Sequence, residues 1–155
     1  MAASAPVFRP VVKDPSNVTV IMDAAGRYFA SFVVETQADP LPATDAEVGI
    51  DLGLTYFAVL ADGRKVASPK FLRRAERRLR TAQQTLSRRY NRSANREKAR
   101  VEVARRHARV ADARRDWLHK LSTQIIRDNQ AVYVEDLCVA GLVRTRLGKS
   151  ISDAG

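Results

Sequence analysis

Two carboxylates set at the ends of apolar strand-like runs are the residues best placed to do chemistry in this sequence. Asp51 lies within Val48-Gly-Ile-Asp-Leu-Gly-Leu54, and Glu135 closes the run Ala131-Val-Tyr-Val-Glu135. Alternation along the first run predicts that Asp51 is buried or half-buried, where an ionised carboxylate is costly unless paired or bound to a cation. Two such acids at the ends of neighbouring strands would repel one another, and a divalent cation between them resolves the repulsion. The plainer alternative for each is a strand-end acid that faces water or pairs with an arginine. Asp136 competes with Glu135 for the same role, because adjacent strand residues point to opposite faces and only one can line a site. Asp62, followed by Gly63, fits turn chemistry. His107 and His119 lie on a helical stretch without a metal-ligand spacing, and Trp117 reads as a core anchor.

The second chemically suggestive feature is concentrated positive charge. The 155 residues carry 27 Lys and Arg against 17 Asp and Glu, a net charge of +10. Residues 70–120 alone hold 18 basic and 5 acidic side chains, a net +13, and 15 of those 18 are arginine, the side chain whose planar fork suits phosphate. With so few acids to pair it, this charge points to contact with a polyanion rather than to an ordinary solvated helical face. The candidate nucleic-acid-binding residues are Arg73, Arg74, Arg77, Arg78, Arg88, Arg89, Arg92, Arg96, Arg100, Arg105, Arg106 and Arg109. No apolar run approaches the ~18–20 residues that span a bilayer, and the first residues lack the basic and apolar regions of a secretion signal. Neither membrane insertion nor secretion is expected. The single cysteine, Cys138, can form no intrachain disulfide and no Cys-x-x-Cys zinc site. It is expected to be buried and inert, in a reduced, cytoplasmic setting.

The elements that must position these groups follow from periodicity. Val18–Met22 and Tyr28–Val34 flank Asp23-Ala-Ala-Gly26 and predict a β-hairpin, too short to stand alone. Thr36–Ala46, with Pro40 and Pro42, reads as a linker. Val48–Leu54, Tyr56–Leu60 and Lys65–Ala67, with an Asp62-Gly63 turn, predict a three-stranded meander. After Pro69 the period changes. Leu72, Ala75, Leu79, Ala82 and Leu86 form one narrow helical stripe, Tyr90–Asn95 interrupts it with Ser93 as a helix N-cap, and a longer helix runs to about Asp128. Small alanines favour close antiparallel packing of the two helices, with arginines on the outer faces. Ala131–Val134 returns to strand, and Arg144–Gly155 is a polar tail without apolar period.

Four stretches taken together carry a family resemblance: Val48-Gly-Ile-Asp-Leu-Gly-Leu-Thr-Tyr-Phe-Ala58; the Lys/Arg-rich hairpin with Ser93-Ala-Asn-Arg96; Arg114-Arg-Asp-Trp-Leu-His-Lys-Leu-Ser122; and Val134-Glu-Asp-Leu137 ending in Lys149-Ser-Ile-Ser-Asp-Ala-Gly155. The sequence resembles the TnpB (OrfB) proteins of bacterial insertion sequences from about residue 47 to residue 155, and the preceding hairpin is similar to the end of that family's N-terminal wedge domain.

The resemblance implies an α/β fold: part of an RNase H-like (RuvC-like) domain, in which a meander and a further strand carry a long Arg-rich helical hairpin, preceded by a β-hairpin. It divides the chain into residues 1–46, the end of the wedge-like domain plus linker, and residues 47–155, the N-terminal part of the nuclease domain with its helical hairpin over 70–128. It implies a transposase-associated, RNA-guided DNA endonuclease that hydrolyses phosphodiesters with two metal ions. Asp51 and Glu135 would be catalytic and would hold Mg²⁺, and the partners would be DNA and a guide RNA. The family closes its catalytic set with a downstream aspartate beyond a four-cysteine zinc ribbon. Neither is in this sequence, so the chain is expected to be a fragment or truncated reading frame, without a zinc site and catalytically incomplete. The rival class is a non-catalytic DNA- or RNA-binding module that uses the arginine hairpin alone. The Asp51-Leu-Gly-Leu-Thr55 run is also similar to the phosphate loop of actin-like ATPases and sugar kinases, but the second phosphate loop and adenosine motif those proteins need are not in the sequence.

Overall fold

The structure, a computed structural model, describes residues 17–34 and 41–138, together with 141, 144, 146, 148, 150 and 151. The chain divides into two units, residues 1–41 and 42–155. In the first, strand β1 (Asn17–Met22) pairs antiparallel with β2 (Tyr28–Val33), with Val20 opposite Ala30. Asp23 builds the turn: its Oδ1 accepts the N–H groups of Ala25 and Arg27, each at 2.9 Å, and Gly26 takes φ +75°, a left-handed conformation that costs glycine little. Residues 36–40 of the linker, and most of the polar tail from Arg144, lie outside the described residues.

In the second unit, β3 (Glu47–Leu52), β4 (Tyr56–Leu60) and β5 (Lys65–Ala67) form an antiparallel meander. The β4–β5 turn uses Asp62 as the first hairpin uses Asp23: Asp62 Oδ1 accepts the Arg64 N–H at 2.9 Å, and Gly63 sits at φ +86°. Strand β6 (Ala131–Val134) then joins the free side of β3 in parallel, giving the order β5-β4-β3-β6. A parallel neighbour requires a crossover, and here two helices supply it.

Those helices are α1 (Phe71–Ser87) and α2 (Ala94–Asp128). At ~1.5 Å per residue α1 is about 26 Å long and α2 about 52 Å, so α2 extends well past its partner. The predicted stripe is the packed face of α1, with Leu79 and Ala82 buried. Ser93 caps α2 by accepting the Arg96 N–H on Oγ at 3.1 Å. Beyond α1, the far half of α2 anchors on the sheet. Trp117 stands edge-on to Phe57 at 4.8 Å and to Phe71 at 6.3 Å, and Ile125 packs on the core of Val48, Ala58 and Leu60. Trp117 is thus the core anchor its spacing predicts. Gln130 fixes the entry to β6, since its N–H donates to the Ala46 carbonyl at 2.7 Å and its Oε1 accepts the Thr44 N–H at 3.3 Å.

Two expectations of burial are corrected. Asp51 is exposed, not buried or half-buried. Alternation does hold in β3, but α2 packs against the face that carries Val48 and Ile50, leaving the face of Gly49 and Asp51 open. Cys138 is also exposed, because it follows β6 at the edge of the sheet, past the last residues paired with β3. Among the described residues, no helix is long and apolar enough to cross a membrane.

Candidate functional site

The carboxylates are brought together by strand pairing. β3 and β6 run parallel with Gly49 opposite Tyr133 and Ile50 opposite Val134, so Asp51 and Glu135 each stand one step beyond the last paired residues, on strands ~4.8 Å apart. Both line one open cleft of about 540 Å³, together with Gly49, Val59, Ala61 and Tyr133. Val59 is the cross-strand partner of Asp51 on β4. The Tyr133 hydroxyl donates to Glu47 Oε2 at 3.3 Å, which ties β6 to the start of β3 on this side. Of the two adjacent acids, Glu135 lines the cleft and Asp136 is not among the lining residues.

The donor set can be tested against Mg²⁺ by its chemistry. Two carboxylates offer hard oxygen ligands, and an open cleft admits the several waters that Mg²⁺ normally retains. The residues therefore fit a largely hydrated Mg²⁺. Among the described residues, no group of three or more His, Cys, Asp or Glu is placed to hold a metal. His107 and His119 are exposed on α2, away from the cleft-lining residues.

The twelve arginines differ in exposure and in what they bind within the fold. Arg96 and Arg106 are half-buried, and the other ten are exposed. Arg96 acts within the fold: its Nη1 donates to the carbonyls of Leu86 at 3.2 Å and Arg89 at 3.1 Å, satisfying groups that the end of α1 leaves without helical partners. Sequence spacing did not single out this clamp, because its partners are backbone carbonyls whose positions depend on the turn between the helices. Arg106 pairs with Glu102 at 2.8 Å and reaches the Arg78 carbonyl at 3.4 Å. Arg100 pairs with Glu97, holding that carboxyl below its ordinary range mainly through the side-chain hydrogen bond. A hollow of about 230 Å³ between the helices is lined by Arg74, Arg78, Arg106 and Arg109, with Phe71 and Leu79 among its apolar residues. Cationic fork groups over an apolar base suit a phosphodiester backbone.

Residues 31–146 match the OrfB family of IS605 type, described as "Probable transposase". The chain belongs to this family. A relative of this OrfB chain from Streptomyces pristinaespiralis, named "Putative RNA-guided DNA endonuclease", is 49% identical over 146 residues, covering 94% of this chain and 36% of the relative. The similarly named InsQ of Escherichia coli K12 is 29% identical over 148 residues, covering 95% of this chain and 36% of InsQ. A Mycobacterium tuberculosis relative is 33% identical over 107 residues, covering 66% of this chain and 23% of its own length. This OrfB chain thus spans about a third of the length of the first two of these curated relatives.

Proposed function

We propose that this chain is the strand-holding part, and one portion of the metal-binding part, of an RNA-guided DNA endonuclease built on an RNase H-like (RuvC-like) domain. The observation that carries the reading is the placement of Asp51 and Glu135 in one cleft on adjacent parallel strands, in the same unit as a helical segment of net charge +13. The names of the relatives support DNA and a guide RNA as the partners. The proposed domains are residues 1–46, wedge-like hairpin and linker, and 47–155, the nuclease part.

In this reading Asp51 and Glu135 hold the cation through their carboxylate oxygens and aim it into the open cleft. Bound there, Mg²⁺ ions would supply Lewis-acid activation of the attacking water and stabilisation of the leaving oxygen. The exposed arginines hold the nucleic-acid backbone by charge, without reading base sequence. With two carboxylates rather than three, these residues alone are expected to bind Mg²⁺ weakly and to cleave slowly or not at all. The open cleft and the two-acid set keep a second reading in play, a DNA- or RNA-binding module in which the acids are structural.

Thermal unfolding with and without Mg²⁺ or Mn²⁺ separates the two. The metal reading predicts a rise in Tm on adding metal that is lost in Asp51→Ala and in Glu135→Ala. A Tm unchanged at saturating metal would leave the binding-module reading.

A further inference from the structure

We propose that the tip of the helical hairpin is a base-stacking site, in which Tyr90 stacks on an unpaired nucleobase while Arg88, Arg89 and Arg92 hold the phosphates on either side. The proposal rests on the nucleic-acid reading above and adds to it a place and a substrate class: a single strand, or the unpaired end of one.

Tyr90 is 87% exposed, more than any other large hydrophobic side chain among the described residues. It does not belong to the aromatic cluster that holds the hairpin to the sheet, where Phe57, Phe71 and Trp117 meet. Its ring therefore offers apolar surface that the fold itself does not use. The backbone beneath it is held from both sides. The Tyr90 carbonyl accepts the Ser93 hydroxyl at 2.8 Å and the Ser93 N–H at 3.3 Å, and the preceding Arg89 carbonyl accepts the Arg96 guanidinium. Arg92 turns the chain at φ +61°, a left-handed conformation that a non-glycine side chain adopts at a cost. The ring projects from a platform whose shape does not depend on it.

Charge selects the occupant. No acidic residue lies between Glu76 and Glu97, a stretch that includes Arg88, Arg89 and Arg92. Ion pairs along the hairpin include Glu76–Arg80, Glu97–Arg100, Glu102–Arg106 and Asp116–Lys120, none of which uses Arg88, Arg89 or Arg92. An aromatic face among uncompensated guanidinium groups matches the two repeating parts of a nucleic-acid strand: a flat base and an anionic linkage. Within a duplex both faces of each internal base are already stacked, so an exposed ring at the hairpin tip reaches one only where the strand is unpaired or ends. Every base has such a face, so the contact tolerates sequence.

The test uses the full chain and fluorescence anisotropy with labelled oligo(dT) and oligo(U), each alongside an abasic strand of the same length. Tyr90→Ala is expected to weaken binding to the base-bearing strands by roughly 5- to 150-fold, to leave the abasic strands unaffected and to leave Tm unchanged. Tyr90→Phe should bind as the parent does. Joint replacement of Arg88, Arg89 and Arg92 by alanine should weaken base-bearing and abasic strands alike. Loss on both oligo(dT) and oligo(U), or on one alone, supports stacking and says which strand chemistry the tip takes. The proposal is overturned if Tyr90→Ala binds base-bearing strands as the parent does, or loses affinity equally for abasic ones. Salt dependence distinguishes that failure from a broader one: if the parent's affinity falls steeply with salt, only the stacking fails, whereas a parent without salt-dependent binding removes the nucleic-acid reading as well.

Discussion

The four-stranded sheet and the helical hairpin of the second unit are built on opposite plans. The sheet buries Val48, Ala58 and Leu60 on one face and leaves two acids on the other, while the hairpin buries only Leu79 and Ala82 and turns most of its arginines to solvent. None of the 35 residues of α2 is fully buried, so a helix of that length is held by half-buried contacts, against α1 along its side and against the sheet at Trp117 and Ile125. The contrast teaches that stability and ligand contact are separable here. In the proposed function, residues under the sheet set the first, and residues along the hairpin set the second.

The largest effect that would sharpen this contrast lies in the core. Leu60 is 4% exposed beside Val48 and Ala58, so Leu60→Ala should cost about 2–5 kcal/mol in chemical denaturation. A loss well under 1 kcal/mol would show that the sheet is not the stabilising layer. Next comes the joint replacement of Arg74, Arg78 and Arg109 by alanine. This variant should keep the parent's Tm while its plot of log affinity against log salt becomes shallower by about 0.9 for each phosphate contact removed. A drop in Tm with an unchanged slope would reverse the assignment of roles.

The smallest effect concerns pH. The Arg64 N–H, then the Arg64 side chain, hold the Asp62 carboxyl below its ordinary value, and the Arg27 N–H does the same for Asp23. Because the folded pKa is lowered, the stability these groups contribute is fully present above the ordinary carboxylate value near 3.8 and is lost as pH falls through the lower folded value. Asp62→Asn keeps the oxygen acceptor and removes the charge, so its Tm should fall less steeply than the parent's as pH drops below about 4. Identical acid limbs would show that the turn hydrogen bonds do not depend on charge.

Much of the fold was legible in the sequence because it rests on local signals. The change from alternating to helical spacing after Pro69 marks the sheet-to-hairpin boundary, Ser93 marks the start of α2, and Asp-initiated turns mark both hairpins. The pairing of β3 with β6 was anticipated only through the two acids, since its register depends on where a 35-residue helix returns the chain. Asp51 and Cys138 show what periodicity cannot supply. Alternation says which residues share a face, but whether anything covers that face is decided by packing of distant elements. The Arg96 clamp escaped for the same reason, as its acceptors are carbonyls at the end of another helix.

If the hairpin holds nucleic acid through its phosphates, the parent chain's affinity for duplex DNA must depend steeply on salt. With six phosphates neutralised, log affinity should fall against log salt with a slope of about −5, and a flat dependence would contradict the account.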